Sequence, residues 1–296
     1  MKKSALYLSL VLVAATFSPS AFAQKKNPEL NNPLPGHFPD KARFVRDLAG
    51  KPTGGSNNLT YHTGGPIIAN AKVVPIFWGS AWSGSTVATS LTSYIAQFGN
   101  NGEYNTITQY YQISGGTQTF IKQSSLGGNA QYDSSNPPTN VTDAAIQAEV
   151  KKLFPSPDPS TIYEVFLPAA SYSSNGSSTS CGGPNLQYCA YHGNFSFAGK
   201  DVKYASMPYP SCGGCQSSGF TVTQNFEHFV SHETREAVTD EDGNAWFDRR
   251  GYEADDKCAW SPTPFADSST GTNADGSGYA YQYEWSNAAS GCVKTK

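Results

Sequence analysis

Apolar residues follow two different spacings along the chain, and these predict strands alternating with helices. Residues 73–78 form a short apolar run that stops at Gly79, and residues 161–169 form another, so both are predicted to be buried strands. Pro75 lies inside the first run. Because proline lacks a backbone N–H, Pro75 favours a position at a sheet edge or in a bulge.

Helical spacing recurs in four other segments, in which apolar residues lie three or four positions apart. Thr142 is a candidate N-cap for one of them, and Thr221 with Gln224 has the spacing of a capping box before another. The predicted helices are 87–98, 103–111, 141–154 and 222–240.

The order of these elements predicts an α/β (α+β) fold in one domain of residues 59–296, since no linker interrupts that range. Residues 119–124 also predict a strand, and residues 188–209 predict a hairpin that adds antiparallel pairs. The last 50 residues have little periodicity and predict an irregular region. Within them, residues 279–285 alternate aromatic with other residues, which predicts a strand that packs on the core or stacks on sugars.

The N-terminus has the three parts of a secretory signal peptide. Two lysines precede an apolar stretch that is too short to span a bilayer, and an A-x-A cleavage signature ends at Ala23. We therefore expect residues 1–23 to be a signal peptide and the protein to be secreted, extracellular or periplasmic. Residues 24–58 are rich in Lys, Asn, Pro and Gly and predict a flexible N-terminal extension or a pro-segment.

Composition narrows the function classes. Only 15% of residues are charged and the net charge is −3, so the basic field of a nucleic-acid-binding protein is absent. No segment after the signal peptide reaches 18 apolar residues, which predicts no membrane span. The six cysteines of an exported chain predict disulfides, expected here as Cys181–Cys189, Cys212–Cys215 and Cys258–Cys292. Cys212 and Cys215 also have the spacing of a redox pair.

The predicted helix 222–240 carries the strongest chemical signal. His228, His232 and Glu236 are four residues apart and form a stripe beside its apolar face. Glu233 points into the apolar face itself, where a carboxylate must be paired, neutral or at a cleft, because burying a lone charge costs several kcal/mol.

The string His232-Glu-Thr-Arg-Glu236 resembles the H-E-x-x-H pattern of zinc hydrolases, with a carboxylate in place of the second imidazole. Residues at i and i+4 can hold one zinc ion, and Glu233 can act as general base toward water. Manganese or iron is an alternative to zinc, and His228 offers a further imidazole. The competing interpretation is an ordinary solvated helix face, on which His and Glu at this spacing are common.

An acidic segment follows about 20 residues later, where many zinc hydrolases have a third ligand. Asp256 is the favoured candidate and Glu253 the second, with Cys258 as a tether for either; an acidic surface turn is the alternative interpretation. Residues 227–257 hold 14 of the 43 charged residues of the chain, so charge concentrates at the predicted site.

Several strings in combination resemble the EXORDIUM-like, phosphate-induced protein family, in its secreted bacterial type. They cover about residues 59–260 and are the segments 59–67, 74–79, 189–193, 231–240, 244–248 and 253–258. The resemblance implies a zincin-type metallopeptidase with His232, Glu233 and Glu236 at the site and Glu253 or Asp256 downstream. It implies no role for His228.

A zincin-like fold implies a mixed sheet, with the active-site helix below an edge strand to which the substrate backbone adds. The hairpin strand between Val202 and Tyr209 is the candidate edge. His62 and His192 are predicted to be structural or to help bind substrate. Asp240 to Asp248 resembles a calcium loop only faintly, because the spacing is wrong for an EF-hand, and a helix-ending turn is favoured.

Two functions follow from these observations. The first is a secreted, monomeric zinc metallopeptidase that binds one ion and acts on a protein or peptide substrate. The second is a non-catalytic secreted protein that binds cell-wall carbohydrate or another protein, which the aromatic-rich C-terminal region favours.

Overall fold

The computed structural model describes residues 58–296, and the predicted signal peptide and nearly all of the predicted extension lie outside that range. The fold is mixed α/β, with several sheets. Numbered along the chain, the strands are β1 (Thr60–Tyr61), β2 (Lys72–Trp78), β3 (Tyr111–Ser114), β4 (Thr117–Phe120), β5 (Gln131–Asp133), β6 (Asn140–Thr142), β7 (Thr161–Phe166), β8 (Tyr172–Asn175), β9 (Ser178–Thr179), β10 (Tyr191–Phe197), β11 (Lys200–Met207), β12 (Trp246–Phe247), β13 (Phe265–Thr272), β14 (Gly278–Tyr281), β15 (Glu284–Ser286) and β16 (Gly291–Val293).

Four α-helices and four 3-10 turns complete the described part of the chain. The α-helices are α1 (Thr86–Phe98), α2 (Gly102–Asn105), α3 (Asp143–Leu153) and α4 (Val222–Thr239). The 3-10 turns are Ser80–Trp82, Thr106–Gln109, Gly213–Cys215 and Asp256–Cys258.

The predictions for α1, α3 and α4 are confirmed to within two residues, because each helix begins at a local cap. Ser85 accepts a hydrogen bond from the backbone N–H of Ala88, and Thr142 accepts one from that of Ala145. The predicted helix 103–111 is only partly correct. It is a single α-turn followed by a 3-10 turn, and β3 begins at its last residue.

The central sheet has five strands in the order β10–β11–β7–β2–β5, with β10 antiparallel to the others. The predicted hairpin is therefore confirmed as β10 and β11. Its predicted edge strand is wrong, because β11 pairs on both sides, with β10 and with β7, and β10 forms the edge.

Pro75 does not lie at the edge that its missing N–H favours, since β2 is paired on both sides. Val73 exchanges hydrogen bonds with Leu126 and Gly128, on the side of β5, and strand alternation turns Pro75 to that same side. Regular pairing between β2 and β5 starts only at Ile76. Pro75 therefore lies at a position where β2 and β5 form no regular backbone hydrogen bond, so its missing N–H leaves no bond unmade.

Hydrophobic residues pack on both faces of the central sheet. Ile146 and Val150 of α3 join one cluster of buried residues with the odd-numbered residues Tyr163 and Val165 of β7. The even-numbered Ile162 and Phe166 face the other cluster, which contains α1 and α4. This alternation places α4 against the sheet face that also receives the even-numbered side chains of β10.

The C-terminal region is more regular than predicted. Strands β13 and β14 form one antiparallel pair, and β15 and β16 form another. The aromatic residues Tyr279, Tyr281 and Trp285 are at most 5% exposed, and the first two pack against Tyr94 of α1. Tyr283, the fourth ring of the alternation, is partly buried and packs edge-on against Phe265. Packing on the core is therefore the correct interpretation of the aromatic alternation, and the three buried rings are not available to stack on sugars.

Three disulfides join Cys181 to Cys212, Cys189 to Cys215 and Cys258 to Cys292. Only the last matches the predicted pairing. Cys212 and Cys215 flank and end the 3-10 turn Gly213–Cys215 and bond to different partners, so the C-x-x-C string is not a redox pair. Within residues 58–296, no helix has both the length and the apolar character needed to cross a membrane.

Candidate metal centre

Helix α4 carries most of the predicted site residues and is buried along nearly its whole length. Its start is fixed by the predicted capping box, in which Thr221 Oγ1 accepts from the Gln224 N–H and Gln224 Oε1 accepts from the Thr221 N–H. His232, Glu233 and Glu236 are at most 1% exposed. Three ionisable groups buried within two turns require compensating charge or hydrogen bonds.

His232 and Glu236 face each other one turn apart, with 3.1 Å between Nε2 and Oε2. Burial lowers the pKa of His232, but the charge and hydrogen bond of Glu236, with the charges of two further nearby carboxylates, together outweigh this effect and raise the pKa to about 10. Each side chain therefore stabilises the charged form of the other. A cation held between them would replace the proton on Nε2.

Gln282 fixes the other nitrogen of His232. Its Nε2 donates to the backbone oxygen of Asp255 at 2.7 Å, so its Oε1 faces the helix and accepts from His232 Nδ1 at 3.0 Å. Nδ1 therefore carries a hydrogen, because an amide oxygen cannot donate. This contact directs Nε2 toward Glu236, and a metal that displaced the Nε2 proton would find the ring already oriented, as metal-binding histidines require.

Glu233 is fully buried, and neither carboxylate oxygen has a hydrogen-bond partner among the described residues. Burial raises its pKa well above the ordinary value; the charge of His232 opposes this rise, and those of Glu236 and Asp256 add to it. The prediction that Glu233 points inward agrees with this placement. A carboxylate without donors in such a position indicates that a cation or a polar ligand belongs beside it.

The downstream acidic segment folds back onto α4 rather than forming a surface turn. The backbone N–H of Asp256 donates to Glu236 Oε1 at 2.9 Å, and Asp256 Oδ1 lies 4.0 Å from His232 Nε2. Glu253 is also fully buried, but it approaches from the side of β10. The structure thus brings both predicted third ligands to the cluster, at different places.

His192 is the residue that the sequence interpretation did not include among the metal ligands. It lies on β10, and its Nε2 is 3.7 Å from Glu236 Oε2 and 3.6 Å from Glu253 Oε2. Strand pairing places it in one row with Ala205 and Glu164, on the sheet face that receives α4. The alternation of the predicted hairpin could have indicated its face, but not its neighbours.

His228, the alternative imidazole, does not join the cluster. Its Nε2 bonds to Gln282 Oε1 at 3.0 Å, and its ring packs edge-on against Trp260. Burial lowers the pKa of His228 to about 3, so the ring is neutral. His228 therefore helps to hold the Gln282 amide in place by this hydrogen bond and is not directed at the cluster.

Arg235 ties α4 to the segment that carries Glu253 and Asp256. Its Nε donates to both carboxylate oxygens of Asp255, and it also pairs with Glu284 at 2.8 Å. All three side chains are fully buried. In this network one guanidinium contacts two carboxylates next to the cluster and joins α4 to the backbone that carries Glu253 and Asp256.

The residues of the predicted calcium loop and His62 make structural contacts. Asp240 caps the C-terminus of α4, and the carboxylates of Glu241 and Asp242 pair with Lys203 at 3.4 and 3.8 Å. Asp248 pairs with Lys257 at 3.1 Å, so two of the carboxylates in the faint calcium-loop pattern already face ammonium groups. His62 stacks on Phe247 at 3.5 Å between ring centroids.

The donor set fits a zinc ion. Imidazole nitrogens and carboxylate oxygens are ordinary zinc ligands, and manganese and iron accept the same groups. The candidate atoms form two sets in which all members lie within 4.8 Å of one another, His232 with Glu233 and Glu236, and His192 with Glu236 and Glu253. The oxygens of Glu233 and Glu253 that lack hydrogen-bond donors are those that a cation would satisfy.

Two cavities lie elsewhere, near the carboxyl ends of the parallel strands. One of about 320 Å³ is lined by Gly79, Asp133 and residues at the start of α1, and the other by Trp82, Pro168 and Tyr209. Neither is lined by a residue of the cluster, whose donor groups are buried between α4, β10 and the segment after β12.

Comparisons of this chain with protein-family models, with curated proteins and with solved structures find no match.

Proposed function

We propose that this protein is a secreted zinc-dependent metallopeptidase of zincin-like fold, with its active site on α4. The observation that carries the proposal is the fully buried Glu233 carboxylate, which has no hydrogen-bond partner among the described residues and adjoins His232 and Glu236. A general base beside two metal ligands has this arrangement.

His232, Glu236 and Asp256 would hold the zinc ion. Asp256 is preferred to Glu253 because its Oδ1 lies 4.0 Å from His232 Nε2 and its backbone N–H orients Glu236. When bound, zinc supplies Lewis-acid chemistry that polarises a scissile carbonyl and makes water more acidic. Glu233 accepts the proton of the attacking water and delivers it to the leaving amine.

The edge of the central sheet favours a peptide as the substrate. Strand β10 is one of the two edge strands of the central sheet, runs antiparallel to its neighbour β11 and presents His192 to the cluster. An extended peptide can add to such an edge and bring a backbone carbonyl to the site. The resemblance of the α4 motif to the bacterial EXORDIUM-like proteins favours the same activity, and three disulfides favour an oxidising, exported location.

The test is hydrolysis of a denatured protein by the mature chain, with zinc content measured in parallel. Glu233→Gln should lower the hydrolysis rate by about 10²–10⁴-fold, the usual contribution of a general base, and should leave zinc bound. Glu227→Gln is a matched control on the same helix. Glu227 is buried, accepts from Asn273 and Ala280, and has a pKa raised by burial to about 8, so a neutral amide replaces a neutral acid.

A second candidate function is favoured by the burial of the cluster. His232, Glu233 and Glu236 are almost fully shielded, and structural zinc sites are closed whereas catalytic ones keep an open position. In this case the protein is a non-catalytic secreted binding protein with a structural ion. Zinc removal would then lower the melting temperature, and wild-type protein would hydrolyse no more substrate than Glu233→Gln.

A further inference from the structure

The donor groups at α4 form two sets of three, and Glu236 belongs to both. The first set contains His232 and Glu233, and the second contains His192 and Glu253. The Glu236 Oε2 atom lies 3.1 Å from His232 Nε2 and 3.7 Å from His192 Nε2, and a carboxylate oxygen has two lone pairs, so this one atom can face two cations at once. Glu236 therefore stands where a bridging ligand would stand.

The second set is not used by the proposed zinc site. His192 comes from β10 and is 2% exposed, and Glu253 comes from the segment after β12 and is fully buried. Neither oxygen of Glu253 accepts a hydrogen bond from any described residue, and Oε2 is directed toward His192 Nε2 at 3.6 Å. A fully buried carboxylate without donors is expensive unless a positive charge adjoins it.

Four carboxyl groups, those of Glu233, Glu236, Glu253 and Asp256, lie in or next to this buried space. Cations that displaced their protons would face four negative charges, of which one divalent ion offsets two. Arg235 contributes nothing to this balance, because Asp255 and Glu284 already pair with it. A second divalent ion would bring the four carboxylates to neutrality.

We propose that His192, Glu236 and Glu253 form a second divalent-cation site, with Glu236 bridging it to the ion held by His232 and Asp256. One imidazole and two carboxylates suit zinc or manganese. Paired ions of this kind lie about 3.5–4 Å apart in two-metal hydrolases and hold the two sides of the reacting group. The proposal deepens the proposed function, and its ion count can be measured independently of any hydrolysis.

The experiment starts from mature protein from which metal has been removed with a chelator and whose fold has been checked afterwards. Calorimetric titration with Zn²⁺ measures binding, and the bound metal is counted after dialysis. Wild-type protein should bind two ions per chain. His192→Ala and Glu253→Gln should each bind one, and Glu236→Gln should bind none tightly. His62→Ala is the matched control, because its ring stacks on Phe247 outside the cluster, and it should bind two.

A measurement on wild-type protein keeps the test independent of how the variants fold. Protein loaded with Mn²⁺ should show the exchange-coupled electron paramagnetic resonance spectrum of two adjacent ions. A single uncoupled six-line spectrum, saturation at one Zn²⁺ per chain, or two ions retained by His192→Ala would each overturn the second site. Two bound ions without hydrolysis would refute the peptidase function and leave the second site intact, whereas hydrolysis with one ion would do the reverse.

Discussion

His232 donates a hydrogen bond from Nδ1 to Gln282 Oε1 at 3.0 Å, and this contact directs its other nitrogen toward Glu236. Gln282 is fully buried and also bonds to the backbone of Asp255. One amide therefore joins His232 of the helix to the segment that carries Glu253 and Asp256.

Replacing Gln282 with methionine should weaken zinc binding about 10–100-fold, the usual cost of removing a hydrogen bond to a metal-ligating histidine. Competition with a chromophoric chelator measures the affinity. Gln216→Met is the control, since the Gln216 amide bonds to Pro210 away from the cluster, and its zinc affinity should equal that of wild type. Equal affinities in all three proteins would show that Gln282 does not position His232.

Removing the guanidinium in Arg235→Met should destabilise the protein by about 3–5 kcal/mol, because two buried carboxylates, Asp255 and Glu284, lose their partner. Urea unfolding measures the change. Lys152→Met is the comparison, since half of the Lys152 side chain is exposed in its pair with Asp133. An exposed ion pair contributes at most about 1 kcal/mol, so similar losses in the two variants would contradict the prediction.

Stability should fall as pH rises from about 4.5 to 8, in part because of Glu164. Burial raises its pKa from 4.5 to about 8, against an opposing hydrogen bond from Thr234. The folded state then keeps a proton that the unfolded state releases across this range, so each added pH unit favours unfolding. The stabilisation is complete below the unfolded pKa and is lost as pH approaches the folded pKa.

Glu164→Gln tests this linkage, because a neutral amide does not titrate. The free energy of unfolding should match that of wild type near pH 4 and exceed it near pH 8, by an amount on the order of a few kcal/mol. Urea titrations at several pH values, in the same metal state, measure the difference. Parallel pH profiles for the two proteins would rule out a contribution from Glu164.

The disulfide between Cys258 and Cys292 should support metal binding as well as stability, because Cys258 follows Asp256 by two residues. Replacing both cysteines with alanine should cost about 2–4 kcal/mol and weaken zinc binding. The pair Cys181 and Cys212 is a matched control with a sequence separation of 31 against 34. Its removal should cost similar stability and leave zinc affinity unchanged; equal losses of affinity would contradict a specific role.

Local signals were sufficient to predict the helices and the spacing within them. The capping residues Thr142 and Thr221 lie within the first turn that they stabilise, so neighbouring residues specify where α3 and α4 begin. The i, i+4 spacing likewise brings His232 and Glu236 together in any helix. Residues 232–236 could therefore be chosen as candidates before any tertiary contact was known.

Contacts between residues that are distant in the sequence could not be predicted from local signals. The internal position of Pro75 depends on where β5 starts to pair, and the partners of Cys212 and Cys215 depend on which strands lie beside their turn. His192 is 40 residues from His232 in the sequence, and only the docking of α4 under β10 brings it near Glu236.

The sequence by itself determined helix α4, its ends and the stripe of His and Glu side chains along it, because helical geometry is set by hydrogen bonds between residues four apart. The tertiary structure decided which distant groups complete that stripe. Packing of α4 between the sheet and the C-terminal strands added His192, Glu253 and Gln282 and excluded His228. Such contacts depend on the summed burial of many side chains, and no local spacing records them.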